Sequence, residues 1–229
     1  MLEIPYSPRD STSIQLLFTR IAKKYDRTNR IISFGLDSVW RRRFIRSLAD
    51  RRRIADVCCG SGALIPLLGN RILAGLDFTR AMLSIAALKK PAPRLVEGDA
   101  QKIPFTSGTF DAAVIVYSIR NIPDVPLALK ELYRVLSPGG LLGILDFGVP
   151  KNKILESLYL IYFKRVMPFL GSRVAGDPSS YHYFVNSVIN FPKRETFLQW
   201  MREAGFQNCR YEEYTLGAAI CYLGEKGKD

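Results

Sequence analysis

The stretch Asp56-Val57-Cys58-Cys59-Gly60-Ser61-Gly62 brings an acid, two thiols and two glycines together. It follows the apolar pair Ile54-Ala55 and precedes Leu64, Leu67 and Leu68 at helical spacing. A strand, a glycine turn and a helix form a nucleotide-binding corner. A second strand over 72–76 ends in Asp77, where an acid can hold a ribose diol. The spacing Gly60-x-Gly62 lacks the close third glycine of a dinucleotide fingerprint. It points instead to a smaller cofactor lying across the turn, such as S-adenosylmethionine. A third strand over 94–96 leads to Asp99-Ala100, an acid that can accept from an adenine amino group beside a residue small enough for the ring. Gly60 and Gly62 would let the backbone approach the methionine end of the cofactor. Asp56 would orient that loop or the cofactor's amino group. Asp77 or Asp99 alone is as well explained by a helix cap or a surface charge; both at strand tips beside the glycine turn favour a cofactor.

The tip of the fourth strand, over 110–116, carries Tyr117-Ser118-Ile119-Arg120-Asn121. In such folds this tip faces the methyl group. Enzymes that methylate an exocyclic base nitrogen present Asp or Asn, Pro, Pro and an aromatic residue there, and pyrimidine C5 chemistry needs a nearby cysteine. Neither is present, which counts against a nucleic-acid substrate. Arg120 cannot act as a base, since a guanidinium titrates above about 12. It can stabilise a developing phenolate beside a methyl donor.

The surrounding elements must hold these tips together. Residues 11–27 show an amphipathic helical pattern, Ile14, Leu17, Phe18, Ile21, Ala22 and Tyr25, with Asp10 or Ser11 as cap. A second helix over 37–48 has Val39, Trp40, Phe44 and Leu48 as its apolar stripe and its arginines facing out. Both precede the sheet and can close over the cofactor. Strands then alternate with helices: Thr79 caps a helix over 80–88, a helix over 126–136 stops at Ser137-Pro138-Gly139-Gly140, and a fifth strand covers 141–147. This predicts a Rossmann-like α/β fold with a doubly wound, mostly parallel sheet. Aromatic-rich helical segments fill 150–191. A helix over 193–204 and two strands over 209–215 and 219–224 close the chain, the strands forming an antiparallel hairpin. One domain is expected: a helical cap over 1–50, a cofactor core over 51–149, a substrate lid over 150–191 and a closing helix and hairpin over 192–229.

Composition narrows the class. The net charge of +12, with Arg41, Arg42, Arg43, Arg46, Arg51, Arg52 and Arg53 in one stretch, fits nucleic acid, an anionic membrane face or plain solvation. The apolar run over 158–170 is too short and too charged to span a bilayer. Cys58, Cys59, Cys209 and Cys221 have neither disulfide nor metal-ligand spacing, so no metal is expected. No secretory signal is visible, and a reducing cytoplasm fits.

Across nearly its whole length the chain resembles the quinone-biosynthesis C-methyltransferases that act on demethylmenaquinol and on a ubiquinol precursor. The resemblance rests on Tyr25-Asp26-x-x-Asn29, Ser33-Phe34-Gly35, Trp40-Arg41, the glycine corner, Gly75-Leu76-Asp77, Met82-Leu83, Gly98-Asp99-Ala100, Ile103-Pro104-Phe105, Arg120-Asn121, Ser180-Tyr181-His182-Tyr183, Phe191-Pro192 and Ala204-Gly205-Phe206. It implies a class I S-adenosylmethionine-dependent methyltransferase fold of seven strands, with cofactor contacts at Ser61, Asp77, Asp99 and Ala100. Tyr25, Phe78 and Met82 join the expected cofactor set, as does the backbone of Val116, where the family often has Ser. Ser61 stands where the family usually has Thr, and Ala63 where it usually has an acid. The implied substrate is a prenylated quinol whose ring carbon, activated by loss of a neighbouring hydroxyl proton, attacks the sulfonium methyl. Arg120, Asn121, Tyr181 and His182 are the expected catalytic residues, with Tyr181 or His182 as base or relay. The alternative readings of those two, core tyrosine and aromatic packing partner, stay open. The expected location is cytoplasmic, with docking on the inner membrane face through the arginine-rich helix. An RNA-directed methyltransferase using the basic face is the competing function.

Overall fold

The computed structural model describes residues 11–48, 50–166 and 178–228, so Asp10 and the side chain of Ser11, expected as caps, lie outside the described residues. Ahead of the sheet stand α1 (Ser11–Ile21), a 3-10 turn (Ala22–Lys24), α2 (Tyr25–Ile32) and α3 (Leu36–Arg46). Then come β1 (Ile54–Val57), α4 (Ile65–Leu68), β2 (Ile72–Asp77), α5 (Arg80–Ala86), β3 (Arg94–Glu97), β4 (Phe110–Val116), α6 (Val125–Val135) and β5 (Leu136–Phe147). The chain continues through α7 (Lys153–Ile161), a π turn (Tyr162–Val166), α8 (Pro178–Asn190), α9 (Glu195–Glu203), β6 (Gln207–Tyr214) and β7 (Ala219–Glu225). The seven strands form one sheet in the order β3-β2-β1-β4-β5-β7-β6. β3, β2, β1, β4 and β5 run parallel; β7 is antiparallel to both β5 and β6. Among the described residues no helix is long and apolar enough to cross a membrane.

β4 shows why the centre is parallel. Ala112, Ala113, Val114 and Ile115 are fully buried, so both faces of the strand are covered. One side packs on Trp40, Phe44 and Leu48 of the α3 region. The other packs on Leu129 and Leu132 of α6 and on Phe197 and Met201 of α9.

Four local expectations are corrected. The first long helix is divided at residues 22–24, which turns α2 down onto the glycine corner. Val39 is not part of the buried stripe of α3 but 55% exposed; at 100° per residue it lies off the Trp40–Phe44 face. Thr79 stands at the N-cap of α5 but makes no side-chain capping bond; Asp77 Oδ1 accepts from its N–H instead, at 2.8 Å. Finally, residues 137–140 do not separate α6 from the fifth strand. The pairing of β4 with β5 jumps from Phe110–Leu136 to Ala112–Leu141, so the Pro-Gly-Gly run bulges out of a continuous strand. Gly139, at φ 71°, makes that bulge, and its N–H donates to the carbonyls of Lys226 and Gly227 at 3.1 Å.

The seat of α3 on the sheet depends on Gly143 of β5. A Cβ there would stand 2.9 Å from Cζ of Phe44, which is fully buried and has no room to turn. Gly143→Ala should therefore lower the unfolding free energy by about 1–3 kcal/mol, the usual cost of overpacking. A denaturant midpoint measures this, and Phe44→Leu in the same chain should recover part of the loss.

Candidate active site

A cleft of about 870 Å³, part of it open to solvent, lies where the strands present their carboxyl ends. Tyr25, Asp56, Gly60, Ser61, Asp77, Phe78, Met82, Asp99, Ala100, Val116 and Asn121 all line it. At the tip of β1 the chain reverses through Cys58 and Gly60, at φ 57° and 55°. For Cys58 this left-handed conformation is strained. Gly62 is the expected cofactor residue that does not reach the cleft. Its Cβ would collide with Ile65 Cδ1 and Ala86, so its lack of a side chain serves the packing of α4 and α5. The roof comes from the N-terminal helices. Ile14 and Phe18 of α1 line the cleft with Tyr25. Gln15 Nε2 donates to the Phe78 carbonyl at 2.6 Å, and Ser61 Oγ donates to Asp26 at 2.5 Å.

The charges are uneven. Asp77 Oδ2 accepts from Gly60 N at 2.8 Å, tying the tip of β2 to the glycine turn. Asp99 is exposed and holds the backbone and side-chain amides of Gln101. Asp56 is 2% exposed, and its Oδ2 has no hydrogen-bond partner among the described residues. Burial, with Asp77 nearby, pushes its carboxyl up to about 8. Burial first, and then the surrounding carboxylates, also push the Cys58 and Cys59 thiols up, so both are poor nucleophiles.

One cation faces this acidic wall, and sequence periodicity placed it in solvent. Arg41 of α3 turns inward and lines the cleft. Its Nη1 pairs with Asp37 at 2.7 Å, its guanidinium lies 5.1 Å from the Tyr117 ring centre, and its buried Nε has no partner among the described residues. Tyr117, at φ 60° on the tip of β4, was likewise missed; its ring is buried and its hydroxyl donates to the Asp37 carbonyl at 3.4 Å.

Arg120 is not where its expected role needs it. It is 4% exposed and does not line the cleft. Its Nη1 donates to Asp146 Oδ1 at 2.5 Å and to the Tyr117 carbonyl at 2.8 Å, and its Nε to Ser187 Oγ at 3.2 Å. The Phe184 ring centre is 4.9 Å away. Its charge is thus spent inside the protein, joining the tip of β4 to β5 and α8. Asp146, an acid within the apolar run of the fifth strand, was the sequence signal for such a partner. Asn121 does reach the cleft. Its Oδ1 accepts from Tyr183 at 3.1 Å, and its buried Nδ2 has no partner among the described residues. Tyr181 and His182 sit on α8 just before Tyr183, but their side chains lie outside the described residues.

Removing one member of a buried pair leaves the other charge uncompensated. Asp146→Asn should cost about 3–5 kcal/mol in urea unfolding, whereas Arg120→Met with Asp146→Leu should recover most of it.

The comparisons agree with this architecture. Residues 7–226 match the ubiE/COQ5 methyltransferase family. The chain is 38% identical to a demethylmenaquinone methyltransferase of Staphylococcus aureus strain JH9, over 94% of each chain, and equally so to that of strain Newman. The solved structure of an S-adenosylmethionine-dependent methyltransferase from Thermotoga maritima shares its fold at a TM-score of 0.67, with 23% identity, over 92% of this chain and 98% of that one. With this match over almost its full length, the chain belongs to the ubiE/COQ5 methyltransferase family.

Proposed function

We propose that this chain moves the methyl group of S-adenosylmethionine to a ring carbon of a prenylated quinol. Demethylmenaquinol is the leading acceptor and a ubiquinol precursor the second. Similarity to the demethylmenaquinone methyltransferases supports the acceptor. One observation carries the donor: Asp56 Oδ2 and Arg41 Nε, both buried and without a partner among the described residues, belong to side chains that line the same cleft. An amino acid end, with one ammonium and one carboxylate, answers both. S-adenosylmethionine has that end and supplies a methyl group on a sulfonium.

In this reading Asp56 accepts from the ammonium and Arg41 pairs with the carboxylate. Asp77 takes the ribose hydroxyls, Asp99 and Ala100 flank the adenine, and Tyr25, Phe78, Met82 and Val116 are walls. Asn121 Nδ2 donates to the quinol oxygen and stabilises it as a phenolate. A phenol titrates near 10, so a base is needed, and Tyr181 or His182 on α8 supplies it. Loss of that proton makes the adjacent ring carbon nucleophilic; after methyl transfer the ring hydrogen leaves and aromaticity returns. Arg120 acts through others, as a positioning residue for Tyr117 and α8. Arg42 and Arg46, exposed on α3, are left to meet an anionic membrane face.

The test is transfer of a labelled methyl group to short-tailed demethylmenaquinol under reducing conditions. Label in the quinol is expected; label in RNA, or donor binding without turnover, would sink the proposal. The buried Asp56 gives a second test. Its folded value of about 8 lies far above the ordinary carboxyl value, so the folded chain holds an extra proton between the two. Its stabilising contribution is complete below about 4 and is lost as pH rises through the folded value. Asp56→Asn should therefore gain stability over the parent at pH 8 but not at pH 4. A bound ammonium favours the carboxylate, so donor binding at neutral pH should release a proton, seen by calorimetry in buffers of different ionisation heat. The variant should release none.

A further inference from the structure

A second, apolar groove lies between the α2–α3 turn, the end of α7 with its π turn, and the β6–β7 connection. We propose that it holds the isoprenoid chain of the acceptor; this rests on the quinol reading above. Most of its polar lining side chains are tied internally: Trp40 Nε1 donates to Thr215 Oγ1 at 2.8 Å, Ser33 Oγ to Asp37 at 3.1 Å, and Tyr162 Oη to the Ile32 carbonyl at 3.0 Å. An occupant that asks for no hydrogen bonds suits such walls.

The two lips of the groove point the same way. Phe34 and Leu216 line it from different elements, and each is 71% exposed. Each also has a left-handed backbone, φ 52° and 58°, followed by a left-handed glycine, Gly35 and Gly217. A bulky residue in that conformation is costly, and so is its exposure. The fold meets both costs twice, around one groove, so that large apolar side chains stand at its mouth.

The groove also adjoins the cleft. Phe147 lines its inner side and packs 4.7 Å from the Tyr117 ring, which lines the cleft. Ser33 lines the groove and bonds Asp37, which pairs with Arg41 in the cleft. The cleft and the apolar groove therefore share a wall, formed by Tyr117 and Phe147. That adjacency favours the acceptor's own tail over bilayer acyl chains or a second copy of the chain.

The experiment compares the parent with Phe34→Ser and Leu216→Ser, whose exposed positions should leave the thermal midpoint unchanged. Each is assayed in detergent with a tailless demethylnaphthoquinol and with prenylated forms. The advantage in KM of the tailed acceptor over the tailless one should shrink roughly tenfold in each variant, the scale set by losing part of one buried side-chain contact. A polyprenyl alcohol without a ring should bind the parent, read by tryptophan fluorescence through Trp40, and bind the variants more weakly. That readout stands even if no quinol is methylated, so the two readings fail separately. Equal losses with both acceptors, or equal binding of the alcohol by parent and variants, would overturn the inference. So would variants that lose only vesicle binding or only self-association, since the lips would then serve a bilayer or a second copy.

Discussion

The ion pair of Arg120 and Asp146 is the constraint on which the site depends. Both groups are nearly inaccessible to water. Burial pushes the Asp146 carboxyl up, and the guanidinium beside it pulls it back. Such a pair adds little net stability over an apolar replacement, because desolvation offsets most of the attraction. What it supplies is registration. Arg120 reaches the Tyr117 carbonyl, the end of β5 and Ser187 of α8 at once, so the tip of β4 cannot shift without moving the helix that carries Tyr183. Asn121, the next residue, bonds Tyr183 and gains a fixed direction into the cleft. An arginine that does not line the cleft thus fixes the direction of the residue beside it that does.

The opposite wall is held differently. α3 lies on β5 through Phe44 over Gly143, an apolar fit with little tolerance. That fit aims Arg41, one turn earlier, at the cleft. The roof of α1 and α2 combines buried apolar residues, Ile14, Leu17 and Ile32, with two polar ties, Gln15 to Phe78 and Ser61 to Asp26. Strained backbones at Cys58 and Tyr117 mark where two neighbouring strands reverse beside the cleft.

Much of this was legible in the sequence because it follows from local rules. The glycine turn, the acid at the tip of β2, the extent of β4 and the hairpin of β6 with β7 depend on short-range spacing. Val39 and Thr79 were misread for local reasons, the angular step of a helix and an acid two residues away; the failures at the site come mostly from contacts between residues far apart in the chain. Helical periodicity sends Arg41 to solvent; its acid partner Asp37 is one turn away on the same helix, but the Tyr117 ring it lies over comes from the tip of β4. Arg120 looked like a free cation because Asp146 lies on another strand. The packing demand at Gly62 comes from Ile65, three residues on, and from Ala86, which only the fold brings behind it. The Pro-Gly-Gly run looked like a breaker because the carbonyls it meets, at Lys226 and Gly227, come from the end of the chain.

The acidity of the cleft has a consequence for turnover. A protein of net charge +12 places Asp56, Asp77 and Asp99 around one cavity. A sulfonium donor arrives with one positive charge more than the thioether it becomes. Methyl transfer therefore erases a cation in a place where buried carboxylates are costly to leave unpaired. On the donor assignment proposed above, this wall would face one positive charge fewer in the thioether product than in the sulfonium donor.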